Sequence, residues 1–332
     1  MREIWIDEPG RIRVAGAEPR TPGPGGALVR VAYAGICGSD REVLAGSRPA
    51  AFVRYPVVPG HEWSGTVEAV GDGTDPGLVG KPVVGENIRA CGRCPACRRG
   101  DGNLCSADYD ETGFTRPGAW ADQLIVPAGA LHVLPADSDL RAAAVLEPAA
   151  CVASACGKLS PAPGERAAVV GAGTLGLLAT QLLAAHHPAE LVVIDPRADR
   201  AELARRCGAT AVHADAPATG GFDLVVEAAG VTGTARTAVR LVRRGGRIAL
   251  IGIPGADDDP PTPAELVLGE ITVHTVFGAP TRAWAAAVRA FAAGALDPAV
   301  LITHEVGLAD VTEAFRLLAD PDSGAVKILL RP

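Results

Sequence analysis

The chain has 332 residues, 48% hydrophobic and 21% charged, with 31 Lys+Arg against 38 Asp+Glu. That length accommodates about two domains, and the composition excludes a disordered chain. The net charge of -7 argues against nucleic acid and anionic membrane surfaces as partners, because both select basic patches.

In chain order, the opening MREIWIDEPGRIRVAG carries charges where a secretory leader needs an apolar stretch. A cytoplasmic location is therefore expected, where disulfides are rare and the eight cysteines point to metal binding or catalysis. The strand-like ALVRVAYAG leads into AGICGSDREVL, which contains Cys37, Ser39 and Asp40. The segment VVPGHEWSGTVEAVG then sets His61 and Glu62 on a glycine-bracketed turn before a strand. Cys91, Cys94, Cys97 and Cys105 follow, in the pattern C-x2-C-x2-C-x7-C. Four thiolates in so tight a loop can close a tetrahedron around a structural zinc with no open position, and residues 88–108 are expected to form that lobe. The bacterial iron–sulfur run needs a shorter last spacer followed by proline. Glu147, in LEPAAC, is a carboxylate in an apolar stretch, where burial without a partner is costly. Catalytic zinc keeps three protein ligands and leaves a position open, so Cys37, His61, Glu62 and Glu147 form one candidate set.

From about Glu165 the pattern alternates between strands and helices, which implies a parallel, doubly wound sheet. The uncharged run Ala167–Ala185 contains three glycines and reads as core, not as a membrane span. Gly171, Gly173 and Gly176 make the G-x-G-x-x-G pattern between the first strand and its helix, with Thr174 and Leu175 at the helix start. Such glycines serve the tight turn, the approach to a pyrophosphate and close helix–strand packing. Asp195 ends the second strand, where a carboxylate accepts ribose hydroxyls and repels a 2′-phosphate, which favours NAD over NADP. Arg197 and Arg200 follow closely; Arg200 is a candidate cofactor contact, against the plainer reading of a solvated helix start. After about Phe277, TRAWAAAVRAFAAG and ADVTEAFRLLAD read as amphipathic helices and AVKILLRP as a closing strand.

Taken together, the Cys-Gly-Ser-Asp motif, the Gly-His-Glu turn, the four-cysteine lobe and the nucleotide fingerprint occur in one order. In these motifs the chain resembles the zinc-dependent medium-chain dehydrogenases of the alcohol/polyol dehydrogenase superfamily, from Ala27 to the end. The resemblance implies an α/β protein, with a GroES-like β-rich catalytic domain over 1–150 and a Rossmann NAD-binding domain over 151–279. The chain would then return to the catalytic domain over 280–332. It implies NAD and two zinc ions per chain, one catalytic and one structural. Cys37 and His61 would bind the catalytic zinc, with Glu62 or Glu147 bound directly or through water. Asp40 would orient His61, and Ser39 would contact the substrate hydroxyl and begin the proton's exit route. Glu42 stands where relatives often carry a relay histidine.

The substrate would be a small hydroxyl compound, and a homodimer or homotetramer is expected. Glu147 and the blocks PVVPGHEWSG and GFTRPGAWAD look most like polyol and aminocyclitol (2-deoxy-scyllo-inosamine) dehydrogenases. L-threonine or a simple secondary alcohol is the alternative substrate. A zinc-free quinone or enoyl reductase would not need the metal residues, and a non-catalytic nucleotide-binding protein would not need the relay serine. Trp63 and Trp120 are candidates for the pocket wall, against the commoner core role.

Overall fold

The computed structural model describes residues 1–217, 220–254 and 259–332. The last residue of the expected GRIALIGIPG strand and part of the DDDPPTP loop lie outside the described residues.

The chain begins with β1 (Arg2–Glu8), β2 (Arg11–Gly16) and β3 (Gly26–Ile36), then α1 (Gly38–Ala45) and β4 (Trp63–Val70). Next come β5 (Pro82–Gly85), α2 (Pro95–Arg98), β6 (Gln123–Pro127), β7 (Leu131–Val133), α3 (Leu140–Ala143) and α4 (Leu146–Leu159). The alternating part runs β8 (Arg166–Val170), α5 (Thr174–Ala184), β9 (Glu190–Ile194), α6 (Ala201–Arg206), β10 (Ala211–His213) and β11 (Phe222–Glu227). It continues with α7 (Thr234–Leu241), β12 (Val242–Leu250), α8 (Pro263–Gly269) and β13 (Thr272–Thr275). The chain closes with α9 (Thr281–Ala292), β14 (Ile302–Gly307), α10 (Val311–Ala319) and β15 (Lys327–Arg331). Among the described residues no helix is long and apolar enough to cross a membrane.

Two compact units result. One comprises Met1–Glu147, Pro280–Val288 and Ile302–Pro332; the other comprises Pro148–Ala279 and Arg289–Leu301. The Arg289–Leu301 segment thus groups with the second unit, although it lies inside the expected 280–332 return.

In the first unit a seven-stranded sheet runs β14-β15-β3-β4-β5-β7, with β6 also paired to β3. Alternation along β3 and β4 turns Val29, Val31 and Val67 into a core with Trp63, Trp120, Leu124, Ile328 and Leu330. Each fully buried aliphatic side chain there stabilises the fold by about 1.5–3 kcal/mol. Trp63 and Trp120 are core residues, not pocket residues: both are buried in this cluster.

The second unit holds six parallel strands in the order β10-β9-β8-β11-β12-β13. This is the doubly wound order, and its direction reverses between β8 and β11, where such sheets bind ligands. The run Ala167–Ala185 is β8 followed by the buried helix α5.

Candidate active site and nucleotide site

The Cys-Gly-Ser-Asp motif owes its shape to a helix start. Cys37 precedes α1 in extended conformation, and its N–H donates to Asp40 Oδ2 at 2.8 Å. A carboxylate on the third helical residue satisfies a donor that the helix leaves open. The pairing of β3 with β4, with Ala34 opposite Trp63, brings the Gly-His-Glu turn beside Cys37. One ligand atom from each of Cys37, His61 and Glu62 then lies within 4.8 Å of the others. His61 Nδ1 stands 3.6 Å from Asp40 Oδ1, and Ser39 Oγ stands 3.5 Å from His61 Nε2. Burial opposes a charged His61, yet Asp40 and Cys37 hold its pKa well above the ordinary value.

The partner of Glu62 leaves no signal in the sequence. Lys327, one of three lysines and buried on β15, donates to Glu62 Oε2 at 2.6 Å and to the Ile36 carbonyl at 3.1 Å. Gly35 leaves room for the pair, since a Cβ there would overlap the Glu62 carboxylate. Burial works against the Lys327 cation, but Glu62 and Cys37 raise its pKa above the usual lysine value. Glu62 Oε1 is buried and has no hydrogen-bond partner. A thiol, an imidazole and a carboxylate oxygen with no other partner are a donor set that zinc accepts. Glu147, in the first turn of α4, lies outside that three-residue group. Glu42 is half exposed and paired with Arg48 at 3.5 Å.

A further carboxylate, Glu111, belongs to this neighbourhood and was absent from the sequence-derived set. Burial pushes its pKa to about 7, with His61 and Arg48 opposing that rise and Glu147 and Asp40 adding to it. Arg48 lies over the Phe114 ring at 3.8 Å, and Phe114 packs on His61 with ring centroids 4.7 Å apart. An acid before a T-G-F turn is a weak sequence signal, because surface turns carry acids routinely.

The four-cysteine lobe also assembles. Cys94 accepts from Cys97 N at 3.4 Å at the start of α2, and Cys105 accepts from Cys91 N at 3.3 Å. Sγ separations of 3.4 Å for Cys94–Cys97 and 3.9 Å for Cys91–Cys97 bracket the tetrahedron edge of about 3.8 Å implied by zinc–sulfur bonds of about 2.3 Å. Backbone N–H groups draw the Cys94 pKa down to about 5, while burial and its neighbouring sulfurs push Cys97 up to about 12. Arg282 on α9 ties the lobe down through Asp101 at 2.7 Å and the Gly100 carbonyl at 3.3 Å.

In the second unit Gly171 follows β8 with φ +98, and Gly173 precedes α5, whose first residues are Thr174 and Leu175. A Cβ on Gly176 would overlap the Gly171 carbonyl, so helix and loop touch only because both residues are glycine. Asp195, buried, accepts from Ala172 N at 2.7 Å and Arg197 N at 2.9 Å, joining the end of β9 to the glycine loop. Arg200 is also buried, with Asp199 at 3.2 Å, and burial lowers its pKa. The solvated helix-start reading therefore fails for Arg200. Glu227, which sequence reading passed over, accepts from Ala229 N and Gly230 N at 2.9 and 2.8 Å and shapes the loop facing Gly171.

A metal-ligand cluster in a β-rich unit and a glycine loop at the reversal point of a parallel sheet define a zinc-type, nucleotide-dependent dehydrogenase. Comparison with known proteins agrees. Residues 23–136 match the alcohol dehydrogenase GroES-like domain, and residues 174–293 match the zinc-binding dehydrogenase domain. The chain is 30% identical to the sorbitol dehydrogenase of Halalkalibacterium halodurans, over 94% of this chain and 93% of that one. Its fold matches the alcohol dehydrogenase rspB of Escherichia coli CFT073, complexed with NADH, at a TM-score of 0.92 and 27% identity, covering 100% and 99% of the two chains. It also matches a zinc-binding dehydrogenase of Sinorhizobium meliloti bound to NADP, at 0.91 and 30%, covering 100% and 99%. The chain belongs to the zinc-dependent alcohol/polyol dehydrogenase family and is an oxidoreductase acting on CH–OH donors.

Proposed function

We propose that this dehydrogenase oxidises a secondary hydroxyl of a polyol, sugar or aminocyclitol with NAD⁺, giving a ketone, NADH and a proton. The observation that carries the reading is the Cys37–His61–Glu62 group, with His61 and Glu62 buried and Ser39 beside His61. Two zinc ions per chain fit the residues: a structural one on Cys91, Cys94, Cys97 and Cys105, and a catalytic one on Cys37, His61 and a carboxylate from Glu62 or Glu147. The catalytic ion supplies Lewis acidity to a hydroxyl and NAD⁺ supplies the hydride acceptor.

The chain's own residues do the rest. The Asp40 carboxylate, 3.6 Å from His61 Nδ1, orients the ring by charge, with Nε2 toward Ser39. Ser39 Oγ takes the hydroxyl proton onward. Lys327 balances the Glu62 charge, so the buried carboxylate keeps one place. Gly171, Gly173, Thr174, Leu175 and Gly176 hold the pyrophosphate at the start of α5. Asp195 accepts the ribose hydroxyls and excludes a 2′-phosphate, which supports NAD as the working cofactor, and Arg200 braces that corner. The enzyme is read as cytoplasmic and as a homodimer or homotetramer.

The test is a zinc determination followed by a panel of polyols, cyclitols, aminocyclitols, L-threonine and simple secondary alcohols with NAD⁺ and NADP⁺. About two zincs per chain and NADH formation with polyhydroxylated members are expected. Turnover confined to L-threonine or to simple alcohols would overturn the substrate class.

A further inference from the structure

Lys327 joins the two turns that carry the metal-ligand side chains. The register of β15 on β3 sets Ile328 opposite Ile36 and Leu329 opposite Gly35, so Lys327 stands level with Cys37. Its ammonium group donates at 3.1 Å to the carbonyl of Ile36, the residue before Cys37, and at 2.6 Å to Glu62 Oε2. Glu62 is held through the main chain as well, because its carbonyl accepts from Gly35 N at 2.8 Å. A Cβ on Gly35 would overlap Glu62 Oε2, so this glycine lets the carboxylate reach the lysine. Lys327 is 2% exposed and Glu62 0%, which shields the pair from bulk water.

The two oxygens of Glu62 therefore differ. Oε2 is taken by the ammonium, whereas Oε1 is buried and has no hydrogen-bond partner among the described residues. That difference bears on how many positions a metal has left. A catalytic zinc keeps three protein ligands and one open position, whereas a structural zinc fills all four. Cys37 and His61 offer one ligand atom each, so a carboxylate bound through both oxygens would complete the set. Such a site would match the four-cysteine lobe in being closed, with no place for a hydroxyl. Carboxylates bind metals through one oxygen or two. Here the second oxygen is engaged in a charge-assisted hydrogen bond, and giving it up would leave a buried ammonium unpaired.

We propose that Lys327 is a positioning residue that limits Glu62 to one oxygen toward the catalytic zinc and so keeps the substrate's position open. The assignment rests on the zinc dehydrogenase reading above and says how the open position is maintained. The lysine acts through Glu62, and its effect is on access to the ion.

The experiment loads wild type, Lys327→Gln and Lys327→Gln/Glu62→Gln with cobalt(II) in place of zinc and titrates each with imidazole. Metal content and melting temperature are followed, and binding is read from the visible cobalt bands, which respond where a position is free. Wild type should take up about two metals per chain and respond to imidazole. Lys327→Gln should keep both metals yet bind imidazole at least about 10-fold more weakly, because the open form is then a minority. In the same variant KM for the best polyol should rise by more than kcat falls. The double variant carries an amide in place of the carboxylate, and its imidazole affinity should return toward wild type. Equal imidazole affinity in wild type and Lys327→Gln, or loss of one metal from that variant, would overturn the assignment. If Lys327→Gln does not fold, wild type still decides: two metals without an imidazole response would mean a position closed despite the lysine. A wild type that holds only the lobe metal sinks the zinc reading itself, and the assignment with it.

Discussion

The two metal-ligand clusters are built in opposite ways. Cys91, Cys94, Cys97 and Cys105 lie within one short loop, and the lobe is largely open to solvent. Cys37 comes from one turn and His61 and Glu62 from another, and the charge balancing Glu62 comes from Lys327 on the last strand. A local cluster needs only turns, whereas the distant one exists only while β3, β4 and β15 stay paired. Damage to the first should show in stability, and damage to the second in chemistry or in the whole fold.

The sharpest way to break this comparison is to remove one ligand from each cluster. Cys37→Ser or His61→Ala should lower turnover at least about 10³-fold while NADH binding, read by fluorescence titration, persists. Cys94→Ser should release one zinc and lower the melting temperature, with a smaller loss of turnover per folded molecule. Equal kinetic losses in the two clusters would erase the distinction.

Next in size is the buried pair. Lys327→Met leaves Glu62 buried without its cation and should destabilise the protein by about 3–5 kcal/mol in denaturant titration. Adding Glu62→Gln to that variant should recover much of the loss. A mild effect of the single change would mean that the distant cluster does not depend on the closing strand.

Glu111 offers a test through pH. Its folded-state pKa of about 7 lies above the ordinary glutamate value of 4.5. The folded chain therefore holds this proton more tightly, and the associated stability is present below pH 4.5 and lost as pH rises through about 7. The loss is on the order of 3 kcal/mol, at 1.36 kcal/mol per pKa unit. Glu111→Gln should be at least as stable as wild type at pH 8, with the advantage shrinking toward pH 5. A difference between the two proteins that does not change with pH would contradict a Glu111 carboxyl raised by burial.

The smallest expected effect lies in the nucleotide unit, where a local motif again meets a distant residue. Asp195→Ala should narrow the NAD-over-NADP preference about 10- to 100-fold in kcat/KM. An unchanged ratio would leave discrimination to the glycine loop alone.

Much of the architecture was legible in the residues. The β–α alternation from Arg166 to Thr275, the helices at Thr281 and Val311 and the closing strand all follow from periodicity and glycine placement. The cysteine lobe was legible for the same reason: its determinants are within a few residues of one another. Trp63 and Trp120 were harder, because an aromatic beside a ligand turn reads equally as wall or core, and only strand pairing sends both inward. Lys327 sat in a strand pattern that looked like plain closure, and Glu111 in a turn that looked like surface. Each acquires its chemistry from neighbours hundreds or tens of residues away.

By itself, then, the sequence determined the two-part α/β architecture, the four-cysteine lobe, the glycine loop and the residues Cys37, His61 and Glu62. Those depend on short-range spacing and on the period of apolar residues. Tertiary structure decided which charges are balanced: Lys327 against Glu62 and Arg48 against Glu42. Lys327, one of only three lysines in the sequence, holds the Glu62 carboxylate in place. Charge compensation acts through space in a low-dielectric interior, so it belongs to the fold and leaves no periodic trace along the chain.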